Sequence, residues 1–223
     1  MQRFASTVGM WLFGTFWATI FSTCTPCVAD SLYLETGPTW RAIGPAGTTL
    51  GSNINSVGLS WEAGNVGWNS NTAYDDSNTA GWTSPNLVHT DVDTNAIWLG
   101  QGNSASPSPV YFRHEFQIQG IPTAGSMYVG VDDDAQVWIN GVQVFNDTNG
   151  LVTIVNGIDV SSSLVQGTNL IAIKGYNRQG DATMIATLNI AYSSVPEPNT
   201  AILAAFGLAG MVGIGWRRAS RPL

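Results

Sequence analysis

The alternating pattern that decides the fold is clearest in VYFRHEFQIQ, residues 110–119. In an extended strand, successive side chains point to opposite faces of the sheet. One face of this segment is mainly apolar and consists of Val110, Phe112, His114, Phe116 and Ile118. The other face is mainly polar and consists of Tyr111, Arg113, Glu115, Gln117 and Gln119. Such alternation predicts a half-buried strand in an antiparallel sheet.

The segment VWINGVQVF, residues 137–145, predicts a β-hairpin. Asn140 and Gly141 separate two short runs of β-branched and aromatic residues, and both tolerate the positive φ angles of a type I′ turn. Similar runs elsewhere predict further strands. These cover residues 127–131, 151–155, 169–176 and 183–192, while residues 158–166 are expected to contain one short helical turn.

The region before these strands is less regular. Between Leu32 and Leu99, tryptophans stand among many Gly and Asn residues, at positions 40, 61, 68, 82 and 98. We expect long loops pinned by indole rings there rather than a second domain. No helical stripe of useful length occurs, so the sequence predicts an all-β domain, an antiparallel β-sandwich, over residues 30–194.

Charge excludes one class of partner. The 223-residue chain has 8 basic and 15 acidic residues, and residues 30–194 contain four of the basic residues against fourteen of the acidic ones. A nucleic-acid-binding protein needs a positive face to displace counterions from the phosphates. The domain is therefore suited to cations or neutral ligands.

The amino-terminal segment has the order of a secretory signal peptide. Arg3 precedes an apolar run over residues 8–21, and Cys27-Val28-Ala29 ends in a small residue, so we predict residues 1–29 as the signal peptide, cleaved after Ala29. The alternative is an uncleaved anchor, for which the run is shorter than the roughly 20 residues that span a bilayer. Cys24 also lies in this segment, so the mature chain would have no thiol.

At the other end, Pro196-Glu197-Pro198 precedes an apolar stretch over residues 201–216, which Arg217-Arg218 closes. The prolines favour an extended, accessible peptide, because proline continues neither a helix nor a strand. A helix over residues 201–216 would be about 24 Å long at 1.5 Å per residue, enough to enter a bilayer. The paired arginines would hold its end on the cytoplasmic side.

This order of parts, over residues 195–223, resembles the PEP-CTERM sorting signal. The resemblance implies processing by an exosortase in the envelope of a Gram-negative-type bacterium, usually one that makes an exopolysaccharide matrix. Pro196, Glu197 and Pro198 would be the recognition element, residues 201–216 the membrane helix, and Arg217 with Arg218 the stop. The alternative is a permanent, unprocessed anchor built from the same residues.

The central region shows a second resemblance, carried by short motifs in a fixed order. These are YDDS at 74–77 with Trp82, IW at 97–98, VYFR at 110–113 with Phe116, VDD at 131–133 before VWING at 137–141, DV at 159–160, and GTNL at 167–170 with Asn177. The order resembles the galactose-binding-like jelly roll of family 2 β-galactosidases and other bacterial glycosidases, over residues 70–192. Four extra residues before Trp82 depart from that pattern, and the catalytic barrel that such modules accompany is not present.

Three consecutive carboxylates, Asp132, Asp133 and Asp134, precede the predicted hairpin. They repel one another, so they either accept hydrogen bonds from nearby backbone N–H groups and shape a turn, or bind a cation such as Ca²⁺. Asp91 and Asp93 form a further acidic spot. Ca²⁺ is the one cofactor that the sequence suggests.

The sequence offers little for catalysis. His114 lies on the apolar face of its strand, which favours a hydrogen-bonded core imidazole over a catalytic base. His89 is a better exposed candidate, but the sequence contains no nucleophile motif beside it. A glycosidase needs two opposed carboxylates, and fourteen acids always provide some pair. We therefore predict a protein that is not an enzyme.

Carbohydrate binding needs an aromatic ring against a sugar face and planar polar groups for its hydroxyls. The candidate residues of these types are Trp61, Trp68, Asp75, Asp76, Trp82, Asn177 and Arg178. The alternative for each indole is a place in the core. Trp138, between two apolar neighbours of the opposite face, is either exposed or packed under a loop.

We predict an exported jelly-roll protein that binds carbohydrate without turning it over.

 The ligand named by this hypothesis is the exopolysaccharide of the cell's own matrix. Its partners would be an exosortase, the polysaccharide and, before processing, the membrane. The alternatives are a structural or adhesive matrix protein with no defined ligand, and a small glycan hydrolase.

Overall fold

A computed structural model describes residues 29–44, 53–88, 95–99, 109–178 and 180–194. Several sequence-based predictions lie outside these residues. They concern the signal peptide up to residue 28, the acidic spot of Asp91 and Asp93, His89, and the sorting segment with its helix over residues 201–216. Within the described part of the chain, no helix is long and apolar enough to cross a membrane.

Eleven strands lie in the described residues. They are β1 (Ala29–Glu35), β2 (Arg41–Ile43), β3 (Asn86–Leu87), β4 (Ile97–Trp98), β5 (Pro109–Ile118), β6 (Ile121–Asp132), β7 (Asp134–Ile139), β8 (Val142–Asp147), β9 (Thr153–Asp159), β10 (Gly167–Tyr176) and β11 (Thr183–Ser193). One short helix, α1 (Leu59–Gly64), and the 3-10 turns Ile54–Ser56, Asn78–Ala80 and Ser161–Ser163 accompany them.

The strands form two antiparallel sheets. The six-stranded sheet has the order β3-β4-β11-β6-β9, with β1 also paired to β11, and the five-stranded sheet has the order β2-β5-β10-β7-β8. Their apolar inner faces meet in one core, which includes Phe112, Val137, Val129 and Leu188. The predicted antiparallel β-sandwich is confirmed.

The hairpin between β7 and β8 has the predicted turn. Asn140 and Gly141 have φ angles of 51° and 83°, both in the left-handed region that a type I′ turn requires. Ile139 pairs with Val142 directly across this turn. The helical turn expected within residues 158–166 is the 3-10 turn Ser161–Ser163.

Strand β6 extends well beyond the predicted residues 127–131. The prediction was too short because glycines that the fold needs interrupt the sequence pattern of this strand. A Cβ on Gly125 would lie 2.5 Å from Leu164 Cδ1, and one on Gly130 would lie 2.9 Å from Ile185 Cγ2. Both contacts are closer than real Cβ atoms show. The absence of side chains therefore allows close packing here, although glycine weakens the strand signal in the sequence.

His114 is half-buried beside the core, as its place on the apolar face of β5 predicts. Its ring stacks on Trp40 with centroids 5.3 Å apart. Burial lowers its pKa, and a hydrogen bond with the Thr39 backbone opposes this in part. The arrangement favours a neutral imidazole that contributes to packing.

The outer face of the five-stranded sheet is covered, which corrects the prediction that β5 is half-buried. Tyr111 and Arg113, expected on a polar and solvated face, are both 0% exposed. Residues 53–82, here called the cap, pack over them, and Trp68 and Trp82 of the cap join Tyr111 in a second hydrophobic cluster. Alternation within one strand cannot reveal a loop that covers its polar face.

Candidate functional site

Aromatic rings fill the space between the cap and the five-stranded sheet. Trp61 stacks on Tyr111 with centroids 4.1 Å apart, and Trp68 meets the same ring edge-on at 4.8 Å. Trp68 also contacts Trp138 edge-on at 5.3 Å. Trp138 is therefore packed under a loop, one of its two predicted placements.

Two of the predicted sugar-stacking rings are inside this cluster. Trp68 is 3% exposed and Trp82 is 1% exposed, so their ring faces contact protein. The expectation that they face a ligand is not met, because the cap needs these indoles to bury the outer face of the sheet. Trp61 is half-buried at the margin of the cluster.

Arg113 fastens the cap to β5. Its Nε donates to Asp76 Oδ2 at 3.0 Å and its Nη2 to the Asn71 carbonyl at 3.1 Å, and Nη1 donates to the Trp68 carbonyl. A buried guanidinium is tolerated only when its donors are satisfied in this way. Asp76 therefore has a structural partner within the protein.

Asp75, the neighbour of Asp76, is exposed and shapes a turn. Its Oδ1 accepts from the Ser77 backbone N–H at 3.0 Å. Hydrogen bonds from Ser77, first from its side chain and then from its backbone, lower the pKa of Asp75. The carboxylate is therefore ionised at neutral pH, with its local geometry set by the turn.

A buried lysine provides a second attachment for the cap. Lys174 Nζ lies 2.6 Å from Glu62 Oε1 and donates to the Val57 carbonyl at 2.7 Å. Burial lowers the pKa of Lys174, and Glu62 opposes that effect. Tyr111 donates to the same Glu62 oxygen at 3.0 Å, and burial followed by the charge of Glu62 raises its pKa.

The remaining predicted residues meet at one end of the sandwich, in a group here called the acidic corner (Asp132, Asp133, Asn177 and Arg178). The backbone N–H of Arg178 donates to Asp133 Oδ2 at 2.7 Å. The peptide bond between Asp132 and Asp133 is cis. Arg178, a predicted sugar ligand, thus lies beside a predicted metal ligand. Asn177 is only 1% exposed and its Nδ2 donates to the Gly180 carbonyl at 3.1 Å, so its side chain is buried rather than presented to a sugar.

Asp134 anchors the loops that surround the acidic corner. It is 0% exposed, and its carboxylate pairs with Arg178 Nη2 at 2.9 Å. It also accepts from the Gly150 N–H at 2.8 Å and the Ile54 N–H at 3.3 Å. The carboxylate of Asp134 therefore accepts backbone N–H groups and shapes the loops.

Asp132 is the unusual carboxyl of the acidic corner. Burial, followed by the charge of Asp133 and a hydrogen bond with it, raises the pKa of Asp132 to about 6, and Asp181 contributes further repulsion. Sequence reasoning missed Asp181, which stands alone in a loop. Among the described residues, no group of three or more His, Cys, Asp or Glu side chains is placed to hold a metal ion.

A shallow trough lies on the outer face of the six-stranded sheet, with a volume of about 450 Å³. Its lining includes Tyr33, Asn189, Ser126, Asp159, Ala124 and Ala191. Sequence reasoning did not select these residues. The available signal was the alternation of polar Ser31 and Tyr33 with apolar Leu32 and Leu34, which marks one solvated face of β1.

Comparison with known proteins identifies the carboxyl-terminal segment. A PEP-CTERM protein-sorting motif matches residues 194–219, in agreement with the resemblance seen in the sequence. The motif indicates an exported protein that is sorted to the cell envelope or surface. No curated protein matches the chain.

Solved structures similar to the chain include PA14 domains and glycosidases. A PA14 sugar-binding domain from an RTX adhesin has 16% identity and a TM-score of 0.33, over 40% of this chain and 56% of that one. The PA14 domain of the MpAFP antifreeze protein has 15% identity and a TM-score of 0.40, over 70% of this chain and 82% of that one. A β-glycosidase from Bacteroides vulgatus has 18% identity and a TM-score of 0.39, over 72% of this chain and 20% of that one.

Proposed function

We propose that this exported protein binds carbohydrate without turning it over, and that the acidic corner binds the sugar through Ca²⁺ held by Asp132 and Asp133. The observation that carries the proposal is the adjacency of these two carboxylates at a loop end of the sandwich. The guanidinium of Arg178 pairs with Asp134 instead, and only its backbone N–H reaches Asp133. The charge of the carboxylate pair is therefore left for a cation from solution.

Ca²⁺ fits the chemistry of this donor set. It takes six to eight oxygen ligands, and carboxylates, backbone carbonyls, water and sugar hydroxyls are all of that kind. When bound, the ion would relieve the repulsion between the two carboxylates and offer its remaining positions to sugar hydroxyls. Asp134 contributes indirectly, because its bonds to Arg178 and Gly150 hold the neighbouring loops in place.

The sorting motif over residues 194–219 supports an exported protein, and the rest of the cellular setting is part of this proposal. Residues 1–29 act as a signal peptide, and an exosortase recognises Pro196, Glu197 and Pro198. Residues 201–216 anchor the chain in the inner membrane of a Gram-negative-type cell until processing, with Arg217 and Arg218 as the stop. The carbohydrate is then exopolysaccharide in the matrix of the same cell.

A glycan array read with the purified protein tests this proposal. We expect saturable binding in Ca²⁺ that is weakened in EGTA and in an Asp132→Asn variant. The matched control is Asp75→Asn, since Asp75 is an exposed aspartate outside the acidic corner. Binding to no glycan in either condition, or release of new sugar ends from a bound glycan, would overturn the proposal.

A further inference from the structure

Four side chains of the trough form a straight row across the six-stranded sheet. Tyr33 of β1 pairs with Asn189 of β11, Asn189 pairs with Ser126 of β6, and Ser126 pairs with Asp159 of β9. Paired residues on neighbouring strands point to the same face, and strands lie about 4.8 Å apart, so the row spans about 14 Å. This is wide enough to support a sugar ring rather than a single polar atom.

The floor of the trough is low because small residues occupy its centre. Ala191 pairs with Ala124 in the row next to Asn189 and Ser126. Tyr33 forms one wall and is 58% exposed. At the opposite wall, Asp159 Oδ1 accepts from the Ser161 N–H at 2.9 Å and from its hydroxyl at 2.6 Å, which fixes the carboxylate in place.

The chemistry of these groups suits an uncharged sugar. An exposed tyrosine ring packs against the C–H face of a pyranose, and amide, hydroxyl and carboxylate groups bond to its hydroxyls. The sugar would lie over the alanine floor without displacing a large side chain. The trough therefore combines an aromatic wall with polar groups in one row.

The distribution of basic residues favours neutral over acidic sugars on this face. The four basic residues between positions 30 and 194 are Arg41, Arg113, Lys174 and Arg178. All four donate to groups of the cap or to the loops beside the acidic corner. In the part of the chain that the structure describes, the outer face of the six-stranded sheet has no lysine or arginine to pair with a uronate or sulfate group.

The trough shares a sheet face with the acidic corner. Ser126, Tyr128, Gly130 and Asp132 are alternate residues of β6 and so lie on the same face. Asp132 follows Ser126 by six positions, which is about 20 Å along a strand. A single sugar is too short to occupy both places, whereas one polysaccharide chain can reach from the trough to the corner.

We propose that the trough is a second sugar-binding site, and that a neutral polysaccharide chain lies in it against Tyr33 and runs along β6 toward the acidic corner. This inference rests on the proposed function. It adds the class of ligand, a neutral polymer, and a site that does not depend on Ca²⁺. Contact at both places makes the second contact intramolecular, which raises the affinity for a polymer above that for a single sugar.

Affinity electrophoresis of the full-length protein tests the inference, in detergent and Ca²⁺, through gels that contain dextran, laminarin, galactan or sodium alginate. We expect retardation by at least one neutral polymer and none by alginate. Tyr33→Ala should weaken polymer binding about tenfold, the effect of losing one aromatic contact, while Tyr33→Phe keeps it. Binding of the corresponding monosaccharide at the acidic corner in Ca²⁺ should be unchanged in Tyr33→Ala, because Tyr33 is not part of that site.

Val142→Ala is the control, because Val142 is an exposed apolar residue on β8 of the other sheet. Asn189→Ala provides a second variant of the row if Tyr33→Ala does not fold. Wild-type affinity in both row variants, or stronger retardation by alginate than by the neutral polymers, would overturn this inference alone. Failure of the wild-type protein to bind any of the polymers or their monosaccharides would overturn the proposed function as well.

Discussion

Replacing Arg113 by methionine should detach the cap and cost a large part of the stability of the domain. Arg113 is fully buried and makes bonds to Asp76 and to the carbonyls of Trp68 and Asn71. Methionine is apolar and of similar length, so it fills much of the space but donates no hydrogen bond. Arg113→Met therefore isolates the effect of the lost donors.

The magnitude can be worked out from the partners that remain. Removing one member of a buried ion pair costs about 3–5 kcal/mol. Asp76 is 29% exposed on its side chain and can be rehydrated, so its share is smaller. The two carbonyls add about 1–3 kcal/mol each where they stay buried. We expect a loss of about 3 kcal/mol, from a total of about 5–15 kcal/mol for a typical domain.

Urea unfolding followed by tryptophan fluorescence measures this loss, and near-ultraviolet circular dichroism reports on the packed indoles of the cap. Glu115→Gln is the control, because Glu115 is 3.7 Å from Arg113 Nη2 but its side chain is 40% exposed. That variant should stay within about 0.5 kcal/mol of the wild type. If Arg113→Met lost less than about 1 kcal/mol with an unchanged near-ultraviolet spectrum, the cap would not depend on this residue and the reasoning would be refuted.

Three further predictions concern the lysine beneath the cap, the core histidine and the hairpin turn. Lys174→Met should lower the free energy of unfolding by about 3 kcal/mol. The loss should be smaller in a Glu62→Gln background, which lacks the carboxylate that would be left without its partner. Urea unfolding of both single variants and the double variant measures this coupling. Burial lowers the pKa of His114, so below about pH 6.5 the unfolded chain binds more protons than the folded one. The free energy of unfolding, measured against pH, should therefore decrease as the pH is lowered through this range. It should decrease less in His114→Gln. Gly141→Ala should lose about 1–3 kcal/mol in thermal or urea unfolding, because Gly141 has a φ of 83° and a Cβ there would lie 2.6 Å from Ser70 Cβ.

Each of these has its own control and contradicting result. Additive losses in the lysine double variant would show that Lys174 and Glu62 do not interact. An equal pH dependence in His114→Gln and the wild type would assign the effect to other groups. Gly37→Ala is the control for the turn, because no atom lies within 4 Å of its added Cβ; an equal loss in both alanine variants would remove the special role of the turn.

The elements that local chemistry determines were predictable from the sequence. The turn at Asn140 and Gly141 depends on two adjacent residues that tolerate positive φ angles, and the apolar face of β5 depends on strict alternation. Both signals lie within a few neighbouring residues. The antiparallel β-sandwich follows from several such segments taken together.

The placement of the site residues was less predictable, because it depends on contacts between distant segments. Tyr111 and Arg113 occupy polar positions in the pattern and are buried only because residues 53–82 fold over them. For the same reason Trp68 and Trp82 are buried between the cap and the sheet and are not part of an exposed surface. The sequence pattern of β1 does not distinguish Tyr33 from other strand residues. Only the pairing of β1 with β11 places it beside Asn189.

Titration calorimetry of the purified protein with the neutral polysaccharide that retards it most tests the central claim most directly. The account predicts saturable heat in Ca²⁺, a weaker response in EGTA, and no new reducing ends in the cell after the titration. Absence of heat with every neutral polymer, or accumulation of reducing ends as the polymer is consumed, would contradict it.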